Sequence, residues 1–379
     1  MKARVVIVGG GVAAMEAALA LHELAGDRVA VEIYSPRRDF VYRPYAVGEP
    51  FGTARVKRYD LESLAERCAA GFHASSIASV DTGARLATTH DGVSVSYDYL
   101  VLTAGASRQW PVPGATTFWG IVDSGEVEAV MERIRAGEAR RIGFTMPGAE
   151  GWALPMYELA LLAEAQIASE GGEGVELTIV TPEDRPLELF GRGASEGVAA
   201  LLAERGIEVV TGTHPVRFED GRLQTVPGEA LRFDEVISVP RLQGRAVRGV
   251  RHDPDCFARV DEHCRVLEEE RIYAAGDVTS FPVKQGGIAA QQADVAAESI
   301  AAELGAAVVP KAFDPVLRGV LWTGYAPLYL QGWLAGGHGE TSTATERPPW
   351  DEGTAKIVAR YLTPFLAEVD ADHEVAVRA

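Results

Sequence analysis

The segment Gly9-x-Gly11-x-x-Ala14 constrains this chain more than any other. It follows Arg4–Val8, an apolar run that reads as a short buried strand, and opens Val12–Leu24, an Ala- and Leu-rich stretch that reads as a helix. Val29–Tyr34 then reads as the next strand, giving a β-α-β unit of about thirty residues, the size of half a nucleotide-binding fold. In this context Gly9 permits the tight turn, Gly11 lets the backbone approach a pyrophosphate, and Ala14 is small enough for close helix–strand packing. The helix N-terminus would offer free N–H groups and a positive dipole end to the phosphates. The same residues argue against a secretory leader, although Lys2, Arg4 and the small residues at Ala18–Ala20 imitate one. Gly9–Gly11 interrupt the run, and Glu16 and Glu23 fall in what would be its apolar centre. A cytoplasmic location is expected.

A chain of 379 residues exceeds one ordinary core, so two or three domains are expected. The formal net charge is −18, with only five lysines among 36 basic residues. Such a chain repels a phosphate backbone, which excludes nucleic acid as a first partner. Cys68, Cys256 and Cys264 are too few and too scattered for a disulfide framework. No apolar stretch is long enough to span a bilayer.

The alternation of strands and helices continues. Tyr99–Thr103 is an apolar strand ending at Ala104-Gly105-Ala106. A second series then follows, with strand Ile142–Met146, helix Pro155–Ser169, strand Val175–Val180, helix Ala194–Arg205, and strands at Ile207–Val210 and Val236–Val239. Arg271–Ala275 runs into Gly276-Asp277 and a helix from Gly287 to Ala302. This pattern predicts an α/β chain with parallel sheets covered on both faces. Ser35–Thr53 reads as a loop, Leu61–Ala70 as a helix, and 336–339 as a glycine-rich turn.

Three separated pieces belong together: the N-terminal fingerprint, the small residues after Leu102, and Ile272–Asp277. They resemble the three-part FAD signature of flavoproteins with two dinucleotide-binding domains, the FAD-dependent pyridine nucleotide-disulfide oxidoreductase superfamily. The resemblance is closest to the branch containing type II NADH dehydrogenases and sulfide:quinone oxidoreductases. It implies two Rossmann-like domains, the second inserted in the first. The FAD domain is expected over 1–110 and 241–312, an NAD(P)-binding-like domain over 111–240, and a C-terminal segment over 313–379. Gly9, Gly11, Ala14 and Ser35 would hold the ADP half of FAD, with Gly105 towards the flavin and Gly276-Asp277 on the ribityl chain. Phe40-Val41-Tyr42-Arg43-Pro44 resembles the loop that lines the flavin, which brings in Arg43 and Pro44. Lys284, Gly286 and Gly287 resemble the segment leading into the helix that points at the ring. Tyr42, Trp110 and Trp152 are candidates for the substrate side. No catalytic acid or base is assigned, and no metal site is expected; His252, Cys256, His263 and Cys264 lack zinc spacing.

The sequence departs from these relatives at the partner end. Where a second glycine fingerprint should follow Ile142–Met146, Pro147–Glu158 keeps only Gly151. Ala153 and Met156 replace the other glycines, and Pro155 removes a donor. Thr181 ends the next strand where a ribose-binding acid is usual. No cysteine lies in Pro147–Leu162 or just after Asp277, against the dithiol chemistry of the sulfide enzymes. Gln291-Gln292 matches part of a quinone motif, but Gly287 stands in place of its first glutamine. Gly193-x-Ser195-x-Gly197 lacks the preceding strand of a nucleophile elbow. Residues 356–366 show apolar positions at helical spacing without a strongly basic face, which favours core or homodimer contact over a membrane. The reading is an FAD-dependent oxidoreductase linking a small-molecule donor, other than NAD(P)H, to a quinone or other small acceptor. The alternatives are an NAD(P)H dehydrogenase and a non-catalytic flavin-binding regulator.

Overall fold

A computed structural model describes residues 2–109, 112–120, 123–148, 151–334, 342–351 and 353–378. Trp110 and the expected turn at 336–339 lie outside them.

The first sheet has five parallel strands in the order 272–274, 99–102, 3–8, 29–34 and 71–73. Its centre is Val5–Val8, with Ile7 paired to both Ile33 and Val101. That strand is covered on both faces, which is why it is continuously apolar rather than alternating. The helices in chain order are α1 (Val12–Ala25), α2 (Leu61–Arg67), α3 (Ser124–Arg135), α4 (Leu154–Ser169), α5 (Arg192–Glu204), α6 (Gly286–Glu303) and α7 (Leu362–Arg378). α1 lies along α6, and Ala14, Ala17 and Ala18 share one core with Ala290, Ala293 and Ala297. Small side chains let the two helices approach closely over the sheet.

The second sheet is also five-stranded and parallel, in the order 116–117, 235–238, 141–145, 176–180 and 208–210. It is inserted between strands of the first sheet. An antiparallel ribbon, Ala106–Gln109 with Arg241–Gly244, carries the chain out and back. The architecture is the expected pair of Rossmann-like domains plus a C-terminal segment.

Several elements escape the sequence reading. Three-stranded antiparallel sheets occupy 77–96 and 214–232, and a third is formed by Val316–Leu321, Leu328–Trp333 and Ser342–Thr345. Two of them consist of short strands whose residues alternate between buried and exposed, as in burial of Leu223 and Thr225 beside exposed Arg222 and Gln224. Ser35–Thr53 is not irregular: it holds strand Asp39–Tyr42, paired with Lys57–Asp60, and 3-10 turns over Arg43–Phe51. The C-terminal helix starts at Leu362, later than expected, because 356–361 is held as a non-helical strap of bends and turns. Its N–H groups are taken by side chains: Ile357 donates to the Tyr42 hydroxyl, and Tyr361 and Leu362 to Glu16. Leu362, Leu366 and Val369 are buried in the first core, so the apolar face meets its own chain. No helix among the described residues is long and apolar enough to cross a membrane.

The glycines of Gly193-Ala194-Ser195-Glu196-Gly197 set the distance between α5 and strand Ser342–Thr345. A Cβ on Gly193 would lie 2.5 Å from the Ser342 carbonyl oxygen, and one on Gly197 2.8 Å from the Ala344 Cβ. Gly332 docks the same C-terminal sheet on the second domain, since a Cβ there would lie 2.3 Å from the Phe190 carbonyl oxygen. Backbone cannot yield as a side chain can. Gly332→Ala is therefore expected to cost about 1–3 kcal/mol of stability, read as a lower unfolding midpoint in denaturant.

Candidate functional site

A cavity of about 510 Å³ opens where the strands of the first sheet end and the second domain closes over them. Ligands of open α/β sheets bind outside the carboxyl ends of the strands. Gly9 sits in the left-handed region at φ +132°, and a Cβ there would lie 2.3 Å from the Thr103 carbonyl oxygen. This contact brings the turn against strand 99–102. Gly11 is the opposite case: it caps α1, lines the cavity, and would bring a Cβ near nothing. No side chain caps α1 and no acid occupies its first turn, so its N–H groups and dipole face an open space.

The cavity reverses the charge of the chain. Arg37, Arg43, Arg245, Lys284 and Lys356 line it against Asp39, Glu158 and Asp277. Burial pulls the Arg43 guanidinium below its ordinary range, and Arg37 and Arg245 add to the effect while Asp277 opposes it. The three arginines therefore repel one another around a space that suits an anion. Arg43 also lies over the Trp119 ring at 5.0 Å. Burial pushes the Asp277 carboxyl up, with Lys284 and Arg43 holding it back. Lys284 is pulled down to about 8 by burial. Its ammonium donates to the Thr279 carbonyl and stands 3.9 Å from the Phe257 ring centre, so it braces the 276–285 loop as well as facing Asp277.

At the far end Lys356 Nζ meets Glu158 Oε1 at 2.6 Å, with side chains only 4% and 2% exposed. Glu158 also accepts the Trp322 N–H at 2.8 Å, and the ammonium lies 4.0 Å from the Trp322 ring centre. Burial pushes Glu158 up and Lys356 down, and each partner opposes the shift of the other.

The structure brings Gly9, Gly11, Ser35, Arg43, Pro44, Gly105, Gly276, Asp277, Lys284, Gly286 and Trp152 to this one cavity. Ala14 is fully buried behind the turn, and Gly287 lies under the Gln285 side chain. Tyr42 also stands behind the wall, its hydroxyl accepting the Ile357 N–H at 2.9 Å. The Ser35 hydroxyl turns back on its own loop, donating to the Arg37 carbonyl and accepting the Arg37 N–H. Gln285 caps α6 by accepting from Ile288. Gln291 pairs with both backbone groups of Val316, and Gln292 accepts the Gly276 N–H at 2.8 Å. Neither glutamine lines the cavity. Arg37, Arg245 and Lys356 escape a sequence reading that follows motifs. The one available signal is scarcity, because two of only five lysines line this cavity.

The N-terminus of α4 reaches the same cavity from the second domain. Trp152, Leu154 and Pro155 stand there, with the Trp152 ring 5.8 Å from that of Phe190. Two residues beyond Thr181, in the loop after strand 176–180, the chain does carry an acid, Glu183. Its carboxylate is buried and turned inward: Tyr157 donates to Oε2 at 2.6 Å and Thr181 to the same oxygen at 2.9 Å. Burial pushes Glu183 up to about 7.

Residues 3–298 match the family described as pyridine nucleotide-disulphide oxidoreductase. The chain is 26% identical over 308 residues to the NADH dehydrogenase-like protein MT1860 of Mycobacterium tuberculosis (strain CDC 1551 / Oshkosh), covering 73% of each. It is 25% identical over 301 residues to the sulfide-quinone reductase of Aquifex aeolicus (strain VF5), covering 74% of this chain and 70% of that protein. The crystal structure of the sulfide:quinone oxidoreductase from Aquifex aeolicus superposes with a TM-score of 0.79 at 21% identity, covering 91% of this chain and 87% of that one.

The buried ion pair gives a test of the site's electrostatics. Lys356→Met strands a buried carboxylate and is expected to cost about 3–5 kcal/mol at neutral pH. Without its partner the Glu158 carboxyl stays protonated to higher pH. The cost should thus be smallest in acid and grow as pH rises through the raised value. Melting temperatures at about pH 5 and about pH 8 read this directly, and adding Glu158→Gln should recover most of the loss.

Proposed function

The chain belongs to the pyridine nucleotide-disulphide oxidoreductase family and is a redox enzyme, and from that premise we propose that it binds FAD in this cavity and links a donor other than NAD(P)H to a quinone or other small acceptor. The residues present fit FAD. The bare Gly11 and Gly105 leave room for a close ligand, α1 presents unpartnered N–H groups, and the arginines answer the two charges of a pyrophosphate. Asp277 would accept hydrogen bonds from the ribityl hydroxyls. α6 would present its dipole, with Lys284 nearby, to the ring end. Bound FAD would supply the two-electron carrier that no side chain can replace.

One observation carries the choice of donor: Glu183, the acid nearest the ribose-binding position of the second sheet, is held inside by Tyr157 and Thr181. Glu183 offers a dinucleotide arriving there no outward carboxylate for its ribose, and the turn after strand 141–145 keeps only Gly151 of a glycine fingerprint for its pyrophosphate. Trp152, against Phe190, stands where a nicotinamide would approach. The acceptor end is apolar, lined by Ala46, Val47, Pro155, Val320 and Ile357, and bears one buried proton source. Reducing a quinone takes up protons as well as electrons, and Lys356 Nζ holds a proton beside Glu158 Oε1 in that wall.

Anaerobic titration with NADH and with NADPH tests the reading. The flavin absorbance should stay unbleached while dithionite still reduces it; rapid stoichiometric bleaching would assign the protein to the NAD(P)H dehydrogenases instead. Arg245→Ala should weaken flavin retention by about tenfold, more at low salt than at high, as followed by flavin fluorescence on dilution.

A further inference from the structure

α1 and α6 carry two acids that the redox reading does not use. Glu16 is fully buried in the middle of α1. Its Oε1 accepts the Tyr361 N–H at 2.9 Å and its Oε2 the Leu362 N–H at 2.6 Å. These N–H groups begin α7, where the helix has no partners of its own and an anion also meets the positive end of the dipole. The acid that caps the last helix is therefore supplied from the first.

The half-buried Asp294 carboxyl on α6 stands beside that of Glu16 and interacts with it. Its Oδ1 is closed to solvent and meets no donor among the described residues. Two neighbouring carboxylates, one buried and one half-buried, resist ionising together, which leaves one proton between them at neutral pH. Glu16 already accepts two N–H groups, which favours its anion and leaves the proton on Asp294. Burial, and next the charge of Glu16, push Asp294 up to about 9. Three other titratable or charged groups face the pair. Glu298 stands one turn along α6, Arg360 bridges to Glu298 at 3.3 Å, and Tyr361 adjoins the capped end.

The pair holds the strap described above. Lys356–Ala359 is buried throughout, and Lys356 and Ile357 form part of the cavity wall. Tyr42 fixes the strap near its start through Ile357, and Glu16 fixes its end. We propose that Glu16 and Asp294 form a proton-sharing clasp that positions the 356–362 strap, and with it Lys356, against the cavity. Both are positioning residues. The clasp stands whatever the cavity holds; only the consequence for Lys356 rests on the functional reading above.

The direction of the pH dependence follows from the shared proton. The Asp294 value in the folded chain lies above the ordinary carboxylate range. Its contribution is thus complete in acid, declines as pH rises, and is gone once pH passes about 9. Above that point two adjacent anions repel, which weakens the hold of Glu16 on the start of α7.

Hydrogen exchange of the whole protein as purified tests this, following the amides of 357–366 between about pH 6 and about pH 10 with intrinsic rates corrected. The wild type should lose protection steadily from about pH 6, by up to about tenfold per pH unit, and level off near pH 9. Asp294→Asn, neutral at every pH and still a donor, should abolish the alkaline loss, whereas Glu298→Gln should leave it. A wild-type profile flat to about pH 10, or an unchanged alkaline loss in Asp294→Asn, overturns the clasp. If Asp294→Asn does not fold, the wild-type profile decides alone. Nicotinamide titration bears on the donor and leaves this result untouched.

Discussion

The close approach of two helices and a turn to the end of one parallel sheet governs the rest of this molecule. Gly9 lies against the Thr103 carbonyl, and the alanine faces of α1 and α6 pack over strands 3–8 and 272–274. Nothing bulkier would fit between them. Because both helices are drawn in this far, their N-termini meet at the strand ends. The first brings free N–H groups and the second brings Gly286 beside Asp277. The cavity is the space left between two positive dipole ends, and its chemistry follows from that geometry.

Charge placement then sets what the cavity can hold. A chain of net charge −18 puts five of its basic side chains around one space, two of them its scarce lysines. Concentrating cations in a partly buried site is unfavourable without an anion to answer them, which makes the cluster evidence for a ligand rather than for stability. The C-terminal segment completes the wall. Lys356 enters it from a strap fixed by residues of the first domain, so the last part of the chain is as much part of the site as the first.

The second domain keeps the fold and redirects its polar groups. Its strands and helices fall where alternation in the sequence puts them, yet Glu183 faces Tyr157 rather than an outside ligand. Thr181 alone, at the strand end, suggests a missing acid. The structure shows an acid present two residues later and turned inward. A carboxylate's use depends on which way a short loop turns, and no periodicity encodes that. Gln291 and Gln292 teach the same lesson, since both look functional in line and both hold backbone in space.

The sequence by itself determined the parallel sheets, the helices between them and the glycine turn. These rest on local periodicity, side-chain size and backbone freedom, which act over a few residues and survive without context. It also put Gly11, Gly105 and Asp277 in one site, because they follow strand ends in a recognisable order. Only the tertiary structure decided the partners of buried charge. Glu16 with Asp294 and the distant Tyr361, Glu158 with Lys356, and the arginines 37, 43 and 245 come together from parts of the chain far apart in number. The apolar spacing of 356–362 looked helical for the same reason. Burial on one side was legible, but the side chains that capture its N–H groups come from elsewhere, and long-range contact is what a linear pattern does not carry.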